Sequence, residues 1–151
     1  MKKLVLLFFV LAVAINSQSL KENWVPLSSA NGSTIYLNSE GIIEYNNGDL
    51  FLWVLQKYSN PIKIESVNGK IYSSKTYYLF NKDLKRYSFQ QIIYYNEKGD
   101  VLTSFSYGTT ATAQPYRYNY PIMPNTNEEL ILSKAIELTP STDEDSADKG
   151  E

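Results

Sequence analysis

The sequence predicts a mainly β domain of the α+β kind, one antiparallel sheet of about six strands with a single C-terminal α-helix packed on it. Three observations carry this reading. Turn-forming pairs recur at short intervals, at Asn31-Gly32, Asn47-Gly48-Asp49, Asn60-Pro61, Asn68-Gly69 and Gly99-Asp100; Gly and Asn accept the positive φ that tight turns need. The segments between the turns are short and rich in aromatic and β-branched residues, with 13 tyrosines in the chain, and such side chains fit a pleated, half-buried surface. Helical spacing of apolar residues is clear near the C-terminus, after a Thr-x-x-Glu start signal.

The first residues stand apart from that domain. Lys2 and Lys3 are followed by an apolar run over 4–14 and then by Asn16, Ser17, Gln18 and Ser19. A positive, then apolar, then small and polar order is that of a secretory signal peptide. The apolar run is shorter than the roughly 20 residues a membrane-spanning helix needs. Residues 1–19 are therefore expected to be removed on export, by cleavage after Ala14, Ser17 or Ser19. Residues 20–139 then form the domain, and 140–151 a disordered acidic tail.

Seven segments qualify as strands: 24–27, 34–37, 42–45, 50–58, 75–80, 87–95 and 101–107. Segment 50–58 is apolar on both faces, with Phe51, Trp53 and Leu55 on one and Leu50, Leu52 and Val54 on the other. That pattern predicts a central strand with something packed over its second face. Strict alternation in 87–95 places Tyr87, Phe89, Gln91, Ile93 and Tyr95 together and Ser88, Gln90, Ile92 and Tyr94 opposite. The five-residue loop 96–100 joins this segment to 101–107 as a hairpin. Residues 108–115 form a Thr/Ala loop, and 116–124 an irregular aromatic segment. Over 127–138, Ile131, Ala135 and Leu138 recur at helical spacing, Thr126 and Glu129 make the capping box, and Pro140 stops the helix. The tail beyond holds Asp143, Glu144, Asp145, Asp148 and Glu151 against Lys149, with no apolar residue able to dock it.

The chemistry available is narrow. The chain has no His and no Cys, which removes the commonest general base, the thiol nucleophile, the usual zinc ligands, disulfides and a lipoprotein anchor. Residues 20–139 carry eleven Lys and Arg against eleven Asp and Glu. A neutral body lacks the positive footprint of nucleic-acid binding. Ser146 and Lys149 match Ser-x-x-Lys, but in a tail that offers no preorganised pocket. Asp49, Asp83 and Asp100 all lie at turns, where Asp is expected for backbone reasons. The acidic tail lacks the glycine turn and spaced ligands of a calcium loop. No catalytic residue, metal or cofactor is predicted.

What remains is aromatic. Tyr77, Tyr78, Tyr87, Tyr94, Tyr95 and Tyr107 belong to strand segments and read first as cross-strand packing. Tyr116, Tyr118 and Tyr120 lie outside the strands and after a loop, and are the candidate binding residues. Tyrosine gives large contact area at low entropic cost.

Several segments, in order, resemble a known family. Trp24-Val25-Pro26-Leu27 followed by Gly32-Ser33-Thr34-Ile35-Tyr36-Leu37-Asn38 is similar to the opening of the surface-adhesin protein E family. The Trp of Phe51-Leu52-Trp53-Val54-Leu55, the entry Ser73-Ser74-Lys75 into Thr76-Tyr77-Tyr78-Leu79-Phe80, then Arg86-Tyr87, and finally Pro124-Asn125-Thr126 with Glu129, continue the likeness to Ile136. Cysteines frequent in the family fall by this resemblance at Lys82 and Ile136, so its staple is absent, and its late Trp is replaced in 118–120. The resemblance implies an antiparallel sheet with a C-terminal helix. It also implies an exported bacterial binding module, at the surface or in the periplasm, with a protein partner such as a host matrix or envelope protein. The alternative is a periplasmic structural or accessory protein with no host ligand.

Overall fold

The computed structural model describes residues 22–45, 48–107 and 118–139. Eight strands form one antiparallel sheet: β1 (Trp24–Ala30), β2 (Ser33–Asn38), β3 (Ile43–Tyr45), β4 (Asp49–Ile62), β5 (Ile71–Asn81), β6 (Arg86–Tyr95), β7 (Val101–Ser106) and β8 (Tyr120–Pro121), followed by the helix α1 (Asn127–Leu138). Their order is β1-β2-β4-β5-β6-β7, with β3 also on β4 and β8 also on β6. The predicted class therefore holds, and the strand count exceeds six through two short additions. One of them, β8, lies inside the segment expected to be irregular.

Local sequence explains most boundaries. Asn31 and Gly32 take φ values of 51° and 72° between the paired residues Ala30 and Ser33, a two-residue hairpin turn that needs positive φ twice. Asn60-Pro61 does not end β4 as a turn signal there suggests. The β4–β5 register shifts between Lys57 and Ile62, and an irregular stretch leaves room for a residue without an N–H. Thr126 caps α1, its Oγ1 accepting the Glu129 N–H at 3.4 Å, and the Glu129 carboxylate accepts the Asn125 N–H at 2.7 Å. The reciprocal box is thus present, displaced by one residue at its return bond. At the other end, the Thr139 N–H and hydroxyl both donate to the Ala135 carbonyl.

The helix supplies the cover that the two-faced β4 requires. Ile131, Leu132 and Ala135 pack on Ile35, Leu37, Leu50, Leu52, Val54, Tyr78 and Phe80. Phe51 and Trp53 point to the opposite side of the sheet, where they remain half-buried.

β6 departs from the strict alternation that its sequence suggests. Tyr77 pairs with Gln91 while Tyr78 pairs with Phe89, so Gln90 is an extra residue and the faces exchange there. Tyr87 and Phe89 stand on the helix side beside Phe80 and Tyr78. Gln91, Ile93 and Tyr95 stand on the opposite side, across from Tyr77, Lys75 and Ser73. The five residues assigned to one face are therefore divided between two, because a bulge adds one to the count.

Leu52 is 0 % exposed at the centre of this core. Leu52→Ala is expected to lower unfolding free energy by about 2–5 kcal/mol in urea titration. Leu130→Ala, on the exposed side of α1, is expected to change it by about 0.5 kcal/mol or less.

Candidate functional site

The bulge and the helix together create an aromatic surface. The buried ring of Tyr78 continues the core beyond α1 towards β6, with ring centroids 5.9 Å from Tyr87 and 5.3 Å from Phe89. Tyr87 and Phe89 meet edge to face at 5.6 Å and 80°, a favoured arrangement for rings. β8 then sets Tyr120 opposite Tyr87, its ring 5.3 Å from Tyr87 and 5.4 Å from Phe89. Tyr107 closes the group at 6.5 Å from Phe89. Tyr120 and Tyr107 are 44 % and 48 % exposed, so the cluster is buried at its base and open at its rim. Burial, then the Glu128 carboxylate, pushes the Tyr87 phenol above its usual range. Burial does the same, more strongly, to Tyr78. Both phenols are neutral at physiological pH.

The opposite side of the sheet carries a polar knot. Asn81 donates from Nδ2 to Asp49 Oδ1 at 2.8 Å and to the Tyr118 hydroxyl oxygen at 3.2 Å, and the Tyr118 hydroxyl donates to Asp49 Oδ1. Arg86 Nε donates to the Tyr118 carbonyl at 3.1 Å, and the Asn119 N–H to Ser88 Oγ at 2.8 Å. Tyr118 is 4 % and Asp49 3 % exposed. A buried carboxylate is tolerated when hydrogen-bonded in this way. The knot fixes the chain against β6 immediately before Tyr120.

Farther along that side, Tyr77 lies 5.9 Å from Phe51 and is stacked at 4.8 Å on Trp53. Lys75 Nζ sits 5.3 Å from the Trp24 ring centroid and 2.6 Å from Glu22, and Glu22 accepts Trp24 Nε1–H at 3.1 Å. The hydrogen bond from Lys75 holds the Glu22 carboxyl below its usual range, against the opposing effect of burial. A cavity of about 230 Å³ lies among Glu22, Asn38, Trp53, Lys75, Ile93 and Tyr95.

The three tyrosines singled out in the sequence therefore do not form one face. Tyr120 joins the aromatic surface, Tyr118 is buried on the other side of the sheet, and Tyr116 lies outside the described residues. Of the turn carboxylates, Asp49 belongs to the knot, and Asp100 accepts from Asn96 Nδ2 at 3.0 Å within the β6–β7 turn. Among the described residues no group of three or more His, Cys, Asp or Glu is placed to hold a metal ion. No helix among them is long and apolar enough to cross a membrane.

The family model described as Surface-adhesin protein E matches residues 24–135. The chain belongs to the surface-adhesin protein E family. No curated protein and no solved structure matches it. The matched span opens on the first residue of β1 and closes on Ala135, which is fully buried in α1. In this adhesin E chain the family match thus spans the scaffold from its first strand to its covering helix.

The contrast between neighbouring tyrosines is measurable. Tyr118→Phe removes the hydroxyl shared by Asp49 and Asn81 and is expected to cost about 1–3 kcal/mol of stability. Tyr120→Ser, at an open rim, is expected to cost about 1 kcal/mol or less. Equal losses in chemical denaturation would contradict this division of roles.

Proposed function

We propose that this adhesin E family member is an exported binding module that captures another protein on the surface formed by Tyr87, Phe89, Tyr107 and Tyr120. The observation that carries the proposal is a cluster of rings held rigid at its base by Tyr78 and exposed at its rim through Tyr107 and Tyr120. Binding energy concentrates on aromatic anchors of this kind, and a rigid ring loses little entropy on contact. Tyr118 serves the surface indirectly by anchoring the segment that delivers Tyr120. Tyr116, two residues earlier in the same segment, belongs to the proposal as a further contact.

The role is binding rather than turnover. This reading rests on the lack of His and Cys in the sequence, and on turn or structural positions for the aspartates. The family's description names an adhesin, and host matrix or envelope proteins are the partners of first choice in this proposal. A periplasmic accessory role is the second reading, and the lack of a cysteine to carry a lipid anchor favours it. The Lys2–Lys3 start and its apolar run support export in both cases.

Four measurements test these statements. Intact-mass analysis of the exported protein is expected to show a start between Ile15 and Leu20; retention of the first 14 residues would refute processing. In capture from purified matrix proteins and from envelope extracts, the Tyr107→Ser/Tyr120→Ser double variant is expected to lose about tenfold or more in affinity. Its thermal midpoint is expected to fall by about 10 °C or less, at about 1 kcal/mol or less for each of the two exposed rings. Unchanged capture would overturn the assignment of this surface. Hydrolysis of a peptide or glycan by the purified chain would overturn the non-catalytic reading.

A further inference from the structure

The two ends of the sheet are built differently. β1, at one end, contains Pro26 and a register shift between Pro26 and Ser28, and it packs against α1. Proline, irregular register and a covering element are the means by which proteins close a sheet edge to further strands. β7, at the other end, reads Val-Leu-Thr-Ser-Phe-Ser, without a proline or a charge. Among the described residues it is paired on one side only, with β6.

The phase of that ladder is fixed by one bond. The Tyr107 N–H donates to the Gln90 carbonyl at 2.9 Å. Antiparallel pairing alternates, so two residues earlier Phe105, opposite Ile92, also directs its backbone groups at β6. Ser104 and Ser106 then direct their N–H and C=O groups away from the sheet, and both residues are exposed. Their side chains are small and lie on the side away from α1, with Gln91 Nε2 donating to Ser104 Oγ at 3.0 Å. Between them Phe105 stands on the helix side, its ring edge-on to Tyr94 at 6.2 Å and 74°.

We infer that β7 is a strand-addition edge that takes an extended peptide segment of a protein partner. Two residues of the peptide exchange backbone hydrogen bonds with Ser104 and Ser106. The peptide residue between them falls opposite Phe105, on the helix side, where an apolar side chain meets the Phe105 ring. The register shift at Tyr94–Tyr95 limits regular addition to the Thr103–Ser106 end of the strand. That end leads directly into Tyr107, so the edge is continuous with the aromatic surface. The inference is independent of that surface's role, because strand addition is specified by main-chain groups and not by the Tyr107 and Tyr120 rings.

The test uses the full mature chain, isotope-labelled, and peptides selected on it from a displayed library of random twelve-residue sequences. In the free, dilute protein the Ser104 and Ser106 amides are expected to exchange rapidly with solvent while Phe105 and Tyr107 are protected. Selected peptides are expected to protect Ser104 and Ser106, and to bind the Ser104→Pro/Ser106→Pro variant about tenfold or more weakly. Those prolines remove outward donors and leave the β6–β7 bonds in place, which an unchanged Phe105 protection verifies. The Tyr107→Ser/Tyr120→Ser variant is expected to retain peptide binding, which separates this result from failure of the aromatic surface. Protection of Ser104 and Ser106 that rises with protein concentration alone would assign the edge to a second copy and overturn the inference. Failure to recover any peptide that protects them would overturn it as well.

Discussion

Among the described residues β4 and β5 share the longest ladder, from Asp49 opposite Asn81 to Ile62 opposite Ile71, and the other elements are arranged around it. Side chains of β4 must be shielded on two sides at once. α1 shields Leu50, Leu52 and Val54, and neighbouring rings and the lysine–tryptophan clasp partly shield Phe51 and Trp53. No disulfide is available to hold the chain, so cohesion comes from this apolar burial, at roughly 25 cal/mol for each Å² of apolar surface removed from water. The polar knot sits at the same end of the ladder, where Asp49 and Asn81 face each other and recruit Tyr118. Core and candidate surface are therefore coupled through a single strand pair.

Much of this was legible in the residues. Period-two patterning located the strands, and Asn31-Gly32 marked the first turn because both residues accept the positive φ that the hairpin there requires. Thr126 and Glu129 located the helix start to within a residue. Both sides of β4 being apolar anticipated a covering layer, and the helix provides it.

The candidate surface was harder to read, for physical reasons. Tyr118 and Tyr120 have the same side chain and similar sequence surroundings. One is buried by hydrogen bonds to Asp49 and Asn81, residues 69 and 37 positions away. Long-range partners of that kind leave no local mark. Tyr87 and Phe89 were visible as an alternating pair, but their company was not. The bulge at Gln90 separates them from Ile93 and Tyr95, and no glycine marks the extra residue. β8 escaped notice because two residues are too few to show a period.

The bulge has a consequence for which surface the rings of β6 occupy. At most positions of a sheet, exchanging one side chain for another alters the chemistry of a face and leaves the identity of the face alone. At Gln90 the deciding quantity is register: the same residues paired without the bulge would carry Tyr87 and Phe89 to the side of the sheet that holds Ile93 and Tyr95, with no change in composition. Two chains with the same aromatic content would then display it on opposite surfaces, and partner choice would follow register in this strand more closely than identity.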